Sequence, residues 1–226
     1  MRYPETIHAS SEAMTFGQGG DAANDAAVQG AAGGGPLAAG PGDADAGLME
    51  KFANGDAAAF EDLYRRHKGG VLRFFLRSLK DRDLAEELAQ DVWAALIRAR
   101  AGYRAEARFA TWLYRLAQHR LIDHYRRAKL VGFSSLEDEE EALLPAAGVS
   151  AVTPEDVAHQ RAAAARLVSL VEGLPLAQRE AFLMQAEGGL SLAEIAEATG
   201  AGFETVKSRL RYAFARLRDG MQGYLP

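Results

Sequence analysis

The chain of 226 residues contains no cysteine. Disulfide bonds, thiolate metal sites and cysteine nucleophiles are therefore excluded. The chain also has no run of about 18 apolar residues, the length that a membrane-spanning helix needs. Its N-terminus lacks the basic and then apolar stretches of a secretion signal. We therefore expect a cytoplasmic protein.

Histidines are also few, and their spacing does not favour a metal site. The chain has five, of which His119 and His124 are five residues apart and fall on different faces of a helix, and the HExxH pattern is absent. Asp83, Glu87 and Asp91 repeat at helical spacing and could bind a cation, so a metal-dependent nuclease is one hypothesis. A solvated or partner-facing acidic surface is the favoured interpretation. We predict no enzyme activity, no cofactor and no metal.

The formal net charge of −5 hides a strong segregation of charge. Residues 1–47 carry six acids and one base, and the rest of the chain has 25 of each. Within that rest, residues 98–127 hold eight arginines against two acids, and residues 205–218 hold five bases and no acid. Two basic segments of this kind favour binding to nucleic acid.

Composition and periodicity divide the chain into four segments. Residues 1–47 are rich in Gly, Ala and Asp and predict a disordered leader. Apolar residues at helical spacing then predict an all-α domain over 48–129, although Gly69 and Gly70 count against one unbroken helix there. An acidic, proline-containing stretch over 130–162 predicts a flexible linker. A second helical domain is predicted over 163–221.

The second domain contains the pattern of a helix-turn-helix, LSLAEIAEATGAGFETVKSRLRYAFARLR (190–218). Ser191 and Glu194 form a capping box, and Gly200 supplies the turn. The helix after the turn places Val206 and Leu210 on its buried side. Its other sides carry polar and basic residues that suit base edges and phosphates in a major groove. An ordinary helical hairpin with a solvated basic face is the alternative.

The first domain ends in an unusual mixture of arginines and aromatic rings, RFATWLYRLAQHRLIDHYRR (108–127). Arginines suit phosphates and rings suit unstacked bases, so the stretch and the loop before it are typical of a surface that holds single-stranded nucleic acid. Phe109 is expected in the core. Tyr103, Trp112 and Tyr114 are as easily core residues as base-contacting ones. The helix before this loop carries the opposite charge, with Asp83, Glu87 and Asp91 on one face, which favours a basic protein partner.

Both halves, in this order, resemble the extracytoplasmic-function (ECF) sigma factors of bacterial RNA polymerase, from about residue 48 to 219 without the linker. The resemblance rests on DLAEELAQDVWAALIRA, YRAEARFATWLYRLAQHRLIDHYRR and LPLAQREAFLMQAEGGLSLAEIAEATGAGFETVKSRLRYAFARLR. It implies an all-α fold with a region-two domain, a linker and a region-four helix-turn-helix. It also implies three partners: core polymerase, bound through its β′ clamp helices and β flap; promoter DNA; and an anti-sigma factor.

The resemblance assigns three sets of residues. Those expected to recognise and melt the minus-ten element are Tyr103, Arg104, Arg108, Thr111, Trp112, Tyr114, Arg115, Gln118, His119 and Arg126. Those expected to read the minus-thirty-five element are Thr205, Lys207, Ser208, Arg209, Arg211 and Tyr212. Those expected to bind polymerase are Asp83, Glu86, Glu87, Gln90 and Asp91. A stand-alone helix-turn-helix regulator is the alternative, but it leaves the acidic helix and the Arg-aromatic stretch unexplained.

Overall fold

The computed structural model describes residues 43–130 and 154–224. Helices and their connections account for both ranges, and neither contains a strand, so the predicted all-α class is confirmed. A short 3-10 turn, Arg100–Gly102, follows the third helix. The α-helices in these ranges are α1 (Ala44–Ala53), α2 (Ala57–Ser78), α3 (Arg82–Ala99), α4 (Phe109–Leu130), α5 (Pro154–Glu172), α6 (Leu176–Gly188), α7 (Leu192–Thr199) and α8 (Phe203–Gly220).

Two helices begin inside segments that the sequence predicts to be irregular. Helix α1 begins four residues before the predicted end of the leader, where the Asp43 side chain accepts a hydrogen bond from the Asp45 amide at 3.1 Å. Helix α5 begins inside the predicted linker, with Pro154 as its first residue. Proline is tolerated there because the first turn of a helix leaves its N–H groups without a partner inside the helix. The rest of both predictions, residues 1–42 and 131–153, lies outside the described residues.

Helix α2 continues without a break through Gly69 and Gly70. Its N-terminus is capped by Asp56, which accepts from the Ala58 and Ala59 amides. Gly70 is buried, and a Cβ atom there would lie 2.7 Å from the Tyr114 hydroxyl. The glycine therefore permits a close approach of helices, and the expected interruption of α2 is not found.

Helices α1 to α4 form a first bundle around a continuous apolar core. Trp93 contributes at its edge, where it meets the rings of Phe60 and Tyr64 edge to face at 6.3 and 5.0 Å. Phe109 is fully buried, as expected. The large side chains that are fully buried in this bundle are Met49, Leu63, Phe74, Phe75, Leu96, Phe109, Leu113, Tyr114 and Leu121.

Helices α5 to α8 form a second bundle, and α7 and α8 are its helix-turn-helix. The predicted capping box is present: Ser191 Oγ accepts from the Glu194 amide at 3.3 Å, and Glu194 accepts from the Ser191 amide at 2.8 Å. Gly200 ends α7 with φ of +63°, a left-handed conformation that glycine adopts without strain. Val206 and Leu210 are buried, which confirms the predicted inner face of α8.

The two bundles pack against each other within one compact unit. Helix α6 lies on α2, and α7 lies on α4. None of the helices in the two described ranges is long and apolar enough to cross a membrane.

Candidate nucleic-acid interface

Helix α8 presents a basic face to solvent. Thr205, Lys207, Arg211 and Tyr212 are exposed, and Ser208 and Arg209 are half-buried. The Arg211 guanidinium lies 5.0 Å from the centre of the Tyr212 ring, a cation–π contact that holds the two side chains together. The helix-turn-helix thus places the six predicted minus-thirty-five residues on one helix, four of them exposed.

The loop before α4 brings two of the predicted base-contacting rings together. Tyr103 and Trp112 meet edge to face with their ring centres 5.2 Å apart, and both are half-buried. Burial raises the pKa of the Tyr103 phenol, whose hydroxyl has no hydrogen-bond partner among the described residues. Arg104 beside it is exposed. Tyr103, Arg104 and Trp112 therefore lie together at the start of α4, and only the arginine among them is exposed.

Three other predicted residues of α4 lie inside the molecule. Thr111, Tyr114 and Gln118 are nearly inaccessible. The Tyr114 ring packs edge to face on Phe74 at 5.8 Å, and Gln118 lies beside Glu180 of α6, where it lowers the pKa of that carboxyl against the larger effect of burial. These three residues face the second bundle. They are buried because α6 and α7, which are distant in sequence, pack against this side of α4. In this conformation, therefore, the three residues do not form an accessible DNA surface.

The remaining predicted residues of α4 differ in accessibility. His119 is half-buried, and burial together with the neighbouring charge of Arg115 lowers its imidazole pKa. Arg126 is exposed and pairs with Asp123 at 3.1 Å. Among the predicted residues of α4, Arg126 is therefore the one exposed to solvent.

Two of the predicted arginines pair with acids of α7. Arg108 Nη1 lies 3.2 Å from Glu194 Oε1, and Arg115 Nη1 lies 3.7 Å from Glu197 Oε1. Burial by itself would raise the pKa of the Glu194 carboxyl. Hydrogen bonds from Ser191 and Thr111, together with the charge of Arg108, outweigh burial and lower this pKa. Burial raises the pKa of Glu197, with only partial compensation by Arg115. The sequence predicted Glu194 only as a helix cap and gave no prediction for Glu197, because nothing near either residue in the sequence indicates an ion pair with an arginine of the first bundle.

The acidic face of α3 is open to solvent. Asp83, Glu87, Gln90 and Asp91 are exposed, whereas Glu86 is half-buried and accepts from Arg82 at 2.9 Å. No ion pair within the described ranges involves Asp83, Glu87 or Asp91. The described parts of the chain also contain no group of three or more His, Asp or Glu side chains placed to hold a metal ion. The face is therefore an exposed acidic surface along one side of α3.

Comparison with known families assigns both bundles to one class of protein. Residues 63–131 match sigma-70 region 2, and residues 164–217 match sigma-70 region 4. The fold and the two matches together define a sigma-70-type transcription initiation factor.

Comparison with individual relatives identifies the family within this class. The chain is 32% identical over 181 residues to the ECF RNA polymerase sigma factor SigM of Mycobacterium tuberculosis, covering 80% of this chain and 86% of that protein. It is 34% identical over 167 residues to the ECF RNA polymerase sigma factor RpoE of Cereibacter sphaeroides, covering 74% and 88%. This chain belongs to the ECF sigma factor family.

A solved structure shares the fold. The sigma factor RpoE of Bartonella quintana, crystallised with the anti-sigma factor NepR, superposes with a TM-score of 0.58 at 20% identity, covering 73% of this chain and 97% of that one.

Proposed function

We propose that this chain is the promoter-specificity subunit of a bacterial RNA polymerase. It binds core polymerase, reads the minus-thirty-five element with α8, and recognises and melts the minus-ten element with the loop before α4 and with α4 itself. The observation that carries the proposal is the exposed basic face of α8 on a correctly capped helix-turn-helix, in one chain with the separate acidic face of α3.

The chain would open DNA through binding alone, without bond chemistry. Unstacking a base costs a few kcal/mol, which contacts to a captured base must offset. Tyr103 and Trp112 offer the rings, and Arg104 offers an exposed charge for the phosphate. Duplex recognition by α8 uses the major groove, where side chains distinguish all four base pairs.

The acidic face of α3 is the proposed polymerase contact. Its exposed members, Asp83, Glu87 and Asp91, share one side of the helix and would repel DNA phosphates. A basic helical surface on polymerase, such as the β′ clamp helices, complements this charge. The β flap is the proposed contact of the second bundle.

The experiment is transcription in vitro with core polymerase on a pool of promoter fragments, followed by sequencing of the transcripts. Permanganate footprinting on a recovered promoter then shows whether DNA opens. The Glu87→Lys and Asp91→Lys double variant should lose transcription and co-purification with polymerase. Glu61→Lys reverses an exposed acid of α2 and is the control that should change neither.

A stand-alone helix-turn-helix regulator is the alternative that the same experiment tests. Such a protein would bind duplex DNA tightly without polymerase, and the α3 variant would leave its function intact. Transcription without DNA opening, or opening that does not depend on this chain, would contradict the proposed function. A cytoplasmic location and regulation by an anti-sigma factor belong to this proposal, and isolation of the chain from its host with bound partners tests both.

A further inference from the structure

We propose that Phe203 determines specificity for thymine in the minus-thirty-five element, through contact of its ring with the C5-methyl group of that base. This inference rests on the proposed function, because it adds a residue to the DNA surface of α8. Among the four bases, only thymine presents a methyl group in the major groove. An apolar side chain at that place therefore distinguishes thymine from the other bases.

Phe203 is the first residue of α8 and is 47% exposed. No ring pair or cation–π contact within the described ranges includes it. Phe214 of the same helix is also exposed, but it packs edge to face on Phe182 with the ring centres 5.6 Å apart. Single exposed apolar residues are common on protein surfaces. The inference is therefore carried by the position of Phe203 and not by its exposure alone.

Phe203 shares one side of α8 with two residues that the sequence predicts to read the element. Phe203, Lys207 and Arg211 follow one another at steps of four residues, which places them in a row along the helix. All three are exposed. The ring of Phe203 thus continues the row of Lys207 and Arg211 to the N-terminal end of α8.

This end of α8 is the one that enters the groove in a helix-turn-helix protein. The N-terminal residues of the recognition helix contact base edges in such proteins. The Cα–Cβ bonds of an α-helix tilt toward its N-terminus, so the first side chain projects past the end of the helix. Phe203 is therefore placed to reach the base edges, where the thymine methyl group lies.

The turn before α8 leaves this end unobstructed. Gly200, Ala201 and Gly202 have no side chain larger than a methyl group. Gly202 occupies the N-cap position and provides no side-chain cap, although Ser, Thr, Asp and Asn are favoured there. Larger turn residues would hold the helix end away from the DNA. The small residues allow a base pair to approach the ring of Phe203 closely.

Glu204 is an acid beside this ring, and its charge is offset within α8. Its carboxylate lies 3.3 Å from Lys207 Nζ, and both side chains are exposed. The ammonium group reduces the repulsion that a lone carboxylate would exert on DNA phosphates. The first turn of α8 therefore presents an apolar ring beside a paired acid and does not repel the groove.

The test removes the methyl group from the DNA. Each thymine of the minus-thirty-five element, on either strand, is replaced in turn by deoxyuridine, which lacks only that methyl group. The fragments come from the promoter found by transcription, and their affinities for the polymerase holoenzyme are measured by competition with a labelled promoter fragment. Burial of one methyl group corresponds to about a fourfold change in affinity. We expect a loss of this size at one or two of the replaced positions.

Phe203→Ala should bind the thymine and deoxyuridine fragments equally at those positions, with the affinity that the wild type has for deoxyuridine. Phe203→Leu keeps an apolar side chain and should retain a preference for thymine of about twofold. Leu167→Ala removes an exposed apolar side chain from α5 instead, and it is the control that should keep the full preference.

Equal binding of both fragments by the wild type at every position would overturn the inference. A thymine preference that persists in Phe203→Ala would overturn it as well. Lys207→Ala should weaken binding of thymine and deoxyuridine fragments by the same factor, because its contact does not involve the methyl group. This uniform loss, together with polymerase-dependent transcription, shows that the proposed function stands even where the thymine contact fails.

Discussion

Two adjacent glycines in the middle of α2 should respond in opposite directions to the same substitution. A Cβ atom on Gly69 meets only the end of the Arg73 side chain, 3.1 Å from Nη1. Arg73 pairs with Glu187 through Nε and Nη2, so Nη1 is outside that pair, and the exposed end of the side chain can shift by the few tenths of an ångström that the new methyl needs. Alanine is favoured over glycine in a helix interior by about 1 kcal/mol. Gly69→Ala should therefore raise the free energy of unfolding by roughly this amount.

Gly70→Ala gains the same helix propensity but meets two groups that cannot yield. The new Cβ atom would lie 2.7 Å from the Tyr114 hydroxyl oxygen and 3.1 Å from the Glu187 carbonyl oxygen. The Tyr114 ring is fully buried and backed by Gly188, and the carbonyl belongs to the backbone of α6. Overpacking of this kind costs about 1–3 kcal/mol. After the helix-propensity gain of about 1 kcal/mol is subtracted, the net loss should be up to about 2 kcal/mol, which at its upper end equals a fall in Tm of roughly 4–8 °C for a domain of this size.

The assay is urea denaturation of both variants and wild type, with unfolding monitored by far-UV circular dichroism. Tyr114→Phe removes the hydroxyl that the Gly70→Ala methyl meets, so the two substitutions together should cost less than the sum of their separate effects. If Gly70→Ala stabilises the chain as much as Gly69→Ala does, the close approach of α2, α4 and α6 is wrong.

Three further predictions concern single side chains. Asp43 accepts from the Asp45 amide and, at 2.7 Å, from the Phe109 amide that begins α4, so Asp43→Ala should cost about 1–2 kcal/mol of unfolding free energy, measured by urea denaturation. Burial raises the pKa of Glu180 above its ordinary 4.5, so its negative charge opposes folding once the pH exceeds that ordinary value. Glu180→Gln should therefore raise the free energy of unfolding at pH 7. This gain should vanish when unfolding is measured toward about pH 4, where the carboxyl is protonated in both states. Lys207→Ala should reduce by about one the slope of log affinity for minus-thirty-five duplex against log salt, in a titration of fluorescence anisotropy.

Local signals predicted the helix-turn-helix of the second bundle in detail. A capping box, a left-handed glycine and an apolar anchor act over a few residues, and each specifies its geometry wherever the rest of the chain lies. Ser191, Gly200 and Val206 accordingly stand as the pattern requires. A local signal gave the wrong prediction at Pro154, which was placed in the linker but begins α5. Proline breaks a helix when it lies in the interior but is tolerated in the first turn, and the residue type alone does not distinguish the two cases.

Burial on α4 could not be predicted in this way. Thr111 and Gln118 are polar residues of a basic helix, and residues of this kind usually lie at the surface. Here each faces an acid of the second bundle, Glu194 and Glu180 respectively. The pairings join residues more than sixty positions apart, and no periodicity within α4 encodes them. The sequence indicated which residue types could bind a promoter, whereas packing between bundles decides which are accessible.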